Sequence, residues 1–164
     1  MPEHFSQKYT IVSFIHPVDD QYSISSKQWP PHDTLAAVFS ITQEVSELVA
    51  AIKTMAQATQ PFTVSIIGED FFGPKKDIHV ALIDTMPDLI HLHQNIIHLL
   101  HEAGAVFNEP RYILEGYRPH ITLHGDASST VNEPITVRSV ALIDMFPDKD
   151  PHKRQVISML SFNS

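Results

Sequence analysis

The chain has 164 residues, enough for one compact domain with a real core and too short for two comfortable ones. Hydrophobic residues at 43% against 18% charged argue against a disordered chain, and no apolar run approaches the ~20 residues that cross a bilayer. The absence of cysteine excludes a disulfide framework, thiolate metal sites and a thiol nucleophile. Nineteen acidic against eleven basic residues oppose a grip on long phosphate backbones, but leave room for a small phosphorylated ligand or an RNA end. The start, Met1 to Lys8, lacks the basic and apolar stretches of a signal peptide, so a cytoplasmic protein is expected.

In chain order, Tyr9 to His16 alternates and is rich in β-branched and aromatic residues, which predicts a strand. A polar connection from Pro17 to Pro31 leads to a second strand over Thr34 to Phe39. From Thr42 to about Thr59, Val45, Leu48, Val49, Ile52, Met55 and Ala56 form one apolar stripe, predicting a helix capped by Thr42 and stopped by Pro61. Phe62 to Ile67 and Ile78 to Ile83 read as an antiparallel pair joined through Gly68 to Lys76. A second helix is expected from about Met86 to Ala103, with Thr85 as cap, Pro87 in its first turn and Gly104 at its end. Arg118 to His124, Thr136 to Met145 and Gln155 to Phe162 supply the last strands, with a turn at Pro147 to Pro151. Short strand-to-strand links oppose a doubly wound parallel sheet and favour an α+β domain of two antiparallel sheets with helices outside. No Gly- or Ser-rich linker divides residues 1–164, which are read as a single domain.

One short sequence occurs twice. Pro31-His32-Asp33-Thr34-Leu35 returns as Pro119-His120-Ile121-Thr122-Leu123, 88 positions later. Composition predicts only about 0.04 occurrences of His-x-Thr-Leu by chance. Residues two apart on a strand share a face, so His32 lies beside Thr34 and His120 beside Thr122. Leu35, Ile121 and Leu123 then point to the opposite side, where helices cover them. Two imidazoles flanking one cleft suit phosphodiester chemistry without metal, one taking a proton from water and the other protonating the departing oxygen. The threonine hydroxyls suit the non-bridging phosphate oxygens.

These twin elements resemble the signature of the two-histidine (2H) phosphoesterase superfamily, particularly its 2′-5′ RNA ligase-like and cyclic phosphodiesterase members. The resemblance implies two pseudo-symmetric lobes of antiparallel sheet with outer helices around a central cleft, each carrying one motif. It implies an enzyme that opens 2′,3′-cyclic phosphates to 2′-phosphates or acts on 2′-5′ linkages. On this basis His32 and His120 are the acid-base pair and Thr34 and Thr122 the phosphate-binding pair. The partner is an RNA end or a small cyclic nucleotide; no cofactor, metal, membrane or protein partner is implied. Asp33 departs from the family pattern, which has an apolar residue there. A lone carboxylate is costly on the helix-facing side. Either the strand starts at Thr34 and leaves Asp33 wet, or the first motif is distorted.

Around the motifs, Arg118 is a candidate to attract phosphate, and Tyr117, Trp29 and Phe71-Phe72 are candidates to stack on a base, with His124 bordering the cleft. The alternatives are an Arg118 paired with a surface carboxylate and aromatics that close off the core. Of the second helix's histidines, His93 falls in the buried stripe, whereas His91, His98 and His101 project outward; none has the i, i+4 spacing of a helical zinc site. A nucleotide- or RNA-end-binding module without turnover and a histidine-rich metal-dependent hydrolase are the competing functional classes.

Overall fold

In the computed structural model, which describes residues 7–123 and 134–163, the alternating N-terminal segment forms β1 (Tyr9–Phe14), buried at all six positions. Burial on both sides follows from its place in the sheet. Tyr9 and Ile11 enter the large core under the helices, while Val12 and Phe14 enter a smaller cluster on the opposite face with Ile24, Ala141, Ile143 and Val156. The remaining strands are β2 (Ser23–Ser25), β3 (His32–Ser40), β4 (Phe62–Val64), β5 (Ile66–Phe72), β6 (Ile78–Ile83), β7 (Val106–Phe107), β8 (His120–Thr122), β9 (Ile135–Val137), β10 (Ser139–Asp144) and β11 (Lys153–Ser161).

The main sheet runs β2-β11-β10-β1-β3-β8-β6-β5, with β7 paired to β3, and every pairing is antiparallel. The two motif strands, β3 and β8, are adjacent at its middle. Each has its own lobe behind it: β1, β10, β11 and β2 beside β3, and β6 and β5 beside β8. The lobes expected as separate sheets are therefore joined along one seam. The fold is α+β and antiparallel.

Two helices, α1 (Val45–Gln57) and α2 (Pro87–Glu102), cover one face. α1 buries Leu48, Ile52 and Ala56, with Val45, Val49 and Met55 packed at the margin. Neither predicted threonine cap forms. Glu44 and Met86 occupy the N-cap positions, without side-chain capping bonds. Thr42 serves a different helix end: its backbone N–H and hydroxyl, with the Gln43 N–H, donate to the Ala103 carbonyl at the close of α2. Such terminal carbonyls have no partner within their own helix.

Two predicted strands break in the middle. Phe62 to Ile67 divides at Ser65, because β4 pairs with β9 in a separate two-stranded sheet while β5 pairs with β6. Thr136 to Met145 divides at Arg138 for the same reason. The predicted Gly68–Lys76 connection is mostly strand, since β5 continues to Phe72.

Candidate active site

β3 begins at His32, two residues earlier than the sequence suggests, and its pairing with β1 continues without interruption through Val12↔Thr34, Ser13↔Asp33 and Phe14↔His32. Within the first motif the pairing is regular from His32 to Thr34, and the register shifts at Leu35, between Val12↔Thr34 and Ile11↔Ala36. Across the seam, Asp33 faces Ile121 in an antiparallel register. One step either way sets His32 opposite Thr122 and Thr34 opposite His120. Directly opposed residues share a face of the sheet. All four motif side chains therefore lie on one surface, as two imidazoles and two hydroxyls in alternating corners. Each of the four is partly exposed, while Asp33, Leu35 and Ile121 between them are buried toward the helices.

The two rings are held alike. His32 Nδ1 lies 2.8 Å from the Pro30 carbonyl oxygen, and His120 Nδ1 lies 2.7 Å from that of Arg118. A carbonyl only accepts, so each Nδ1 carries a proton, and in the neutral ring the lone pair sits on Nε2. Repetition of the contact two residues upstream of each histidine follows from the repeated sequence. In both motifs proline sits between the histidine and the residue whose carbonyl accepts from it.

The walls differ. Trp29 packs on the His32 ring at 4.6 Å between centroids, and Phe14 meets it edge-on at 6.1 Å. Trp29 and Pro30 also line an open cavity of about 480 Å³ with Tyr22, Ser23, Ser25 and Gln28. On the other side Phe72 meets the His120 ring edge-on at 4.7 Å. The exposed Arg118 guanidinium lies over Phe72 at 4.6 Å and pairs with Asp70 at 3.3 Å. Of the two sequence alternatives for Arg118, the carboxylate pairing is the one observed, on a side chain that borders the motif. Burial lowers the His120 pKa, with the Arg118 charge acting in the same direction and the hydrogen bond to the Arg118 carbonyl opposing them.

Three expectations need correction or restriction. Asp33 is not wet: it is 3% exposed and paired with Ser13, the motif's irregularity falls at Leu35 instead, and the Asp33 carboxyl accepts from the Tyr117 hydroxyl and the His120 backbone. Tyr117 does not present its ring for base stacking. Its face is stacked on His93 at 3.9 Å and 7°, because its hydroxyl is drawn to Asp33 behind the motif surface. Phe71 stacks on His79, away from His120, so of that pair only Phe72 borders the motif. His124 lies outside the described residues.

His93 is buried and donates from Nδ1 to the Leu35 carbonyl while accepting the Leu114 N–H at Nε2, which fixes it as a neutral ring. His91, His98 and His101 are exposed. Among the described residues no cluster of three metal-ligating side chains occurs. Sequence reasoning missed Phe14 and Asp70, which reach the site through strand pairing with β3 and through Arg118; neither carries a local signal.

A family model described as the 2′-5′ RNA ligase superfamily matches residues 8–142, which include both motifs and the strands that carry them. The chain belongs to this superfamily. It is the two-histidine phosphoesterase group to which the repeated motif pointed. A Bacillus cytotoxicus relative named "Putative phosphoesterase" is 30% identical over 95 residues, 57% of this chain and 51% of its own length. The chain thus spans about half the length of the curated relative it matches. Among solved structures, TT0787 of Thermus thermophilus has a similar fold, with TM-score 0.59 at 15% identity, over 96% of this chain and 98% of that one. Escherichia coli LigT complexed with 3′-AMP gives 0.55 at 16%, over 96% and 99%.

Proposed function

We propose that the protein is a metal-independent phosphoesterase that opens 2′,3′-cyclic phosphates at an RNA end or in a small cyclic nucleotide, working as one domain in the cytoplasm. The observation that carries this reading is the four-cornered arrangement of His32, Thr122, His120 and Thr34, with both Nδ1 atoms committed to backbone carbonyls. Substrate phosphate sits over the seam, its non-bridging oxygens accepting from the Thr34 and Thr122 hydroxyls. Charge gathers on those oxygens as water attacks, so donors already in place stabilise the transition state more than the ground state.

Proton traffic divides between the rings. His120, whose surroundings favour the neutral form, takes a proton from the attacking water at Nε2. His32 delivers a proton from Nε2 to the departing ribose oxygen, with the Trp29 ring packed beside it. One P–O bond forms to water, one P–O bond of the cyclic ester breaks, and the two protons balance. The cavity beside Trp29 accommodates the nucleoside, in keeping with the 3′-AMP held by LigT.

The test is hydrolysis of a 2′,3′-cyclic nucleotide by the wild type, His32→Ala and His120→Ala, with and without EDTA. The expected result is turnover that resists chelation and falls by about 10²–10⁴ in each variant. Chelator-sensitive turnover would move the protein to metal-dependent hydrolysis. Nucleotide binding without turnover from pH 5 to 8 would make it a binding module.

A further inference from the structure

The seam between β3 and β8 joins the two halves of the site, yet Asp33↔Ile121 is the one residue pair registered across it among the described residues. The neighbouring seams are far longer, with five pairs between β1 and β3 and three between β6 and β8. What fixes β8 against β3 must therefore come largely from side chains.

On the helix side of the seam those side chains form a chain of contacts. The buried Asp33 carboxyl receives the Tyr117 hydroxyl at 3.4 Å to each oxygen and a backbone hydrogen bond from His120. The Tyr117 ring lies flat on His93. His93 is anchored on one side to the Leu35 carbonyl of β3 and on the other to the Leu114 N–H. Residues 114 to 120 are thus tied to β3 and α2 at several points. Within them Arg118, next to Tyr117, supplies the carbonyl that orients the His120 ring.

We propose that Asp33 is a positioning residue for His120, holding β8 in register from behind through the Tyr117 hydroxyl and the His120 backbone, so that the second imidazole meets the first across a shared phosphate. The proposal rests on the catalytic reading above, and it explains why a carboxyl occupies a position where an apolar residue would be the simpler choice. A misplacement of about 1 Å in such a pair costs on the order of 10²-fold in rate.

The device is sensitive to charge. Burial pushes the Asp33 carboxyl up to about 8, against the hydrogen bonds from Tyr117 and His120. The titratable groups around it are Tyr117 ahead of β8, His93 on α2 and His120 on β8 itself. Among the described residues no ion pair reaches it. Deprotonation therefore places an uncompensated charge under the seam, which loosens the alignment it maintains.

The experiment compares wild type, Asp33→Leu, Asp33→Asn and Tyr117→Phe in two readouts. The first is kcat and KM on a 2′,3′-cyclic nucleotide from pH 5 to 9. The second is the ring resonances of 15N-labelled His120 over the same range without substrate. Asp33→Leu is expected to lower kcat at least about tenfold with KM within about twofold, as an aligning role requires. Asp33→Asn, neutral at every pH, is expected to restore most of that loss and to lessen the wild-type decline near pH 8, leaving only the alkaline limb set by loss of the general acid's proton. Tyr117→Phe is expected to fall between them. In the wild type the His120 resonances should register a second titration near pH 8 that Asp33→Asn lacks. That readout stands even if no cyclic nucleotide is turned over, which would sink the catalytic reading alone. Unchanged kcat in Asp33→Leu, or, should that variant not fold, identical His120 titrations in wild type, Asp33→Asn and Tyr117→Phe, would overturn the proposal.

Discussion

Thr34 and His120 lie opposite each other across the seam between β3 and β8, and the mirrored placement of Thr122 and His32 completes a ring of four polar side chains on one face. Each imidazole thus lies beside a hydroxyl from its own strand and another from the facing strand. A phosphate placed there, as proposed above, would be contacted from both strands.

The hydroxyls are separable from the rings. Thr34→Val and Thr122→Val keep the β-branched shape that suits a strand and remove the donor. Both positions are partly exposed, so the fold should tolerate the change. Each variant is expected to lose about 10²-fold to 10³-fold in kcat, the range found for a single donor to a developing oxyanion. Steady-state kinetics with a matching melting temperature checks this; a rate within twofold of wild type would remove that threonine from the site.

Trp29 is the chain's single tryptophan, and it lies against His32, so its fluorescence reports that half of the site without a label. Titration with 3′-AMP is expected to change its emission saturably, and Trp29→Phe to abolish the signal while weakening binding by about threefold to tenfold, as loss of a stacking surface does. Saturable binding by calorimetry with constant emission would place the nucleotide elsewhere.

The motif strands and both helices are legible in the sequence because period and repetition are local properties. The stripe of α1 and the alternation of His32, Thr34, His120 and Thr122 need no knowledge of neighbours. Asp33 is illegible for the opposite reason. Its burial is accommodated by the hydroxyl of Tyr117, 84 residues away, and by the His120 backbone, contacts that exist only once β3 and β8 are paired. Thr42 shows the same limit: a good capping residue is claimed by the far end of α2. The breaks at Ser65 and Arg138 likewise reflect a change of partner sheet, not a change of local propensity.

Gly104 tests the packing at that helix end. Its φ of +76° lies in the left-handed region, and a Cβ there would collide with Thr42 Oγ1. Gly104→Ala is expected to destabilise the protein by about 1–3 kcal/mol, combining backbone strain with displacement of Thr42. Urea unfolding measures this, and a loss under about 0.5 kcal/mol would contradict it.

Stability against pH follows from three groups whose burial, full or partial, shifts them with opposed signs. The Asp33 carboxyl is raised to about 8 from an ordinary 3.8, so between those values the unfolded chain has released a proton that the folded chain retains. Stability falls there as pH rises, by up to about 1.4 kcal/mol per unit. His93 and His120 are lowered from 6.5, chiefly by burial, so below that value the unfolded chain binds protons that the folded chain refuses. Their contributions are lost as pH falls. Below 6.5 the rings and the carboxyl act in opposite directions; above it the contribution of the rings fades and the carboxyl dominates up to about 8. Urea midpoints should therefore fall as pH rises from 6.5 to about 8. In Asp33→Asn the decline between 6.5 and 8 should vanish while the acid-side loss remains, and persistence of the alkaline decline in that variant would assign it to a different group.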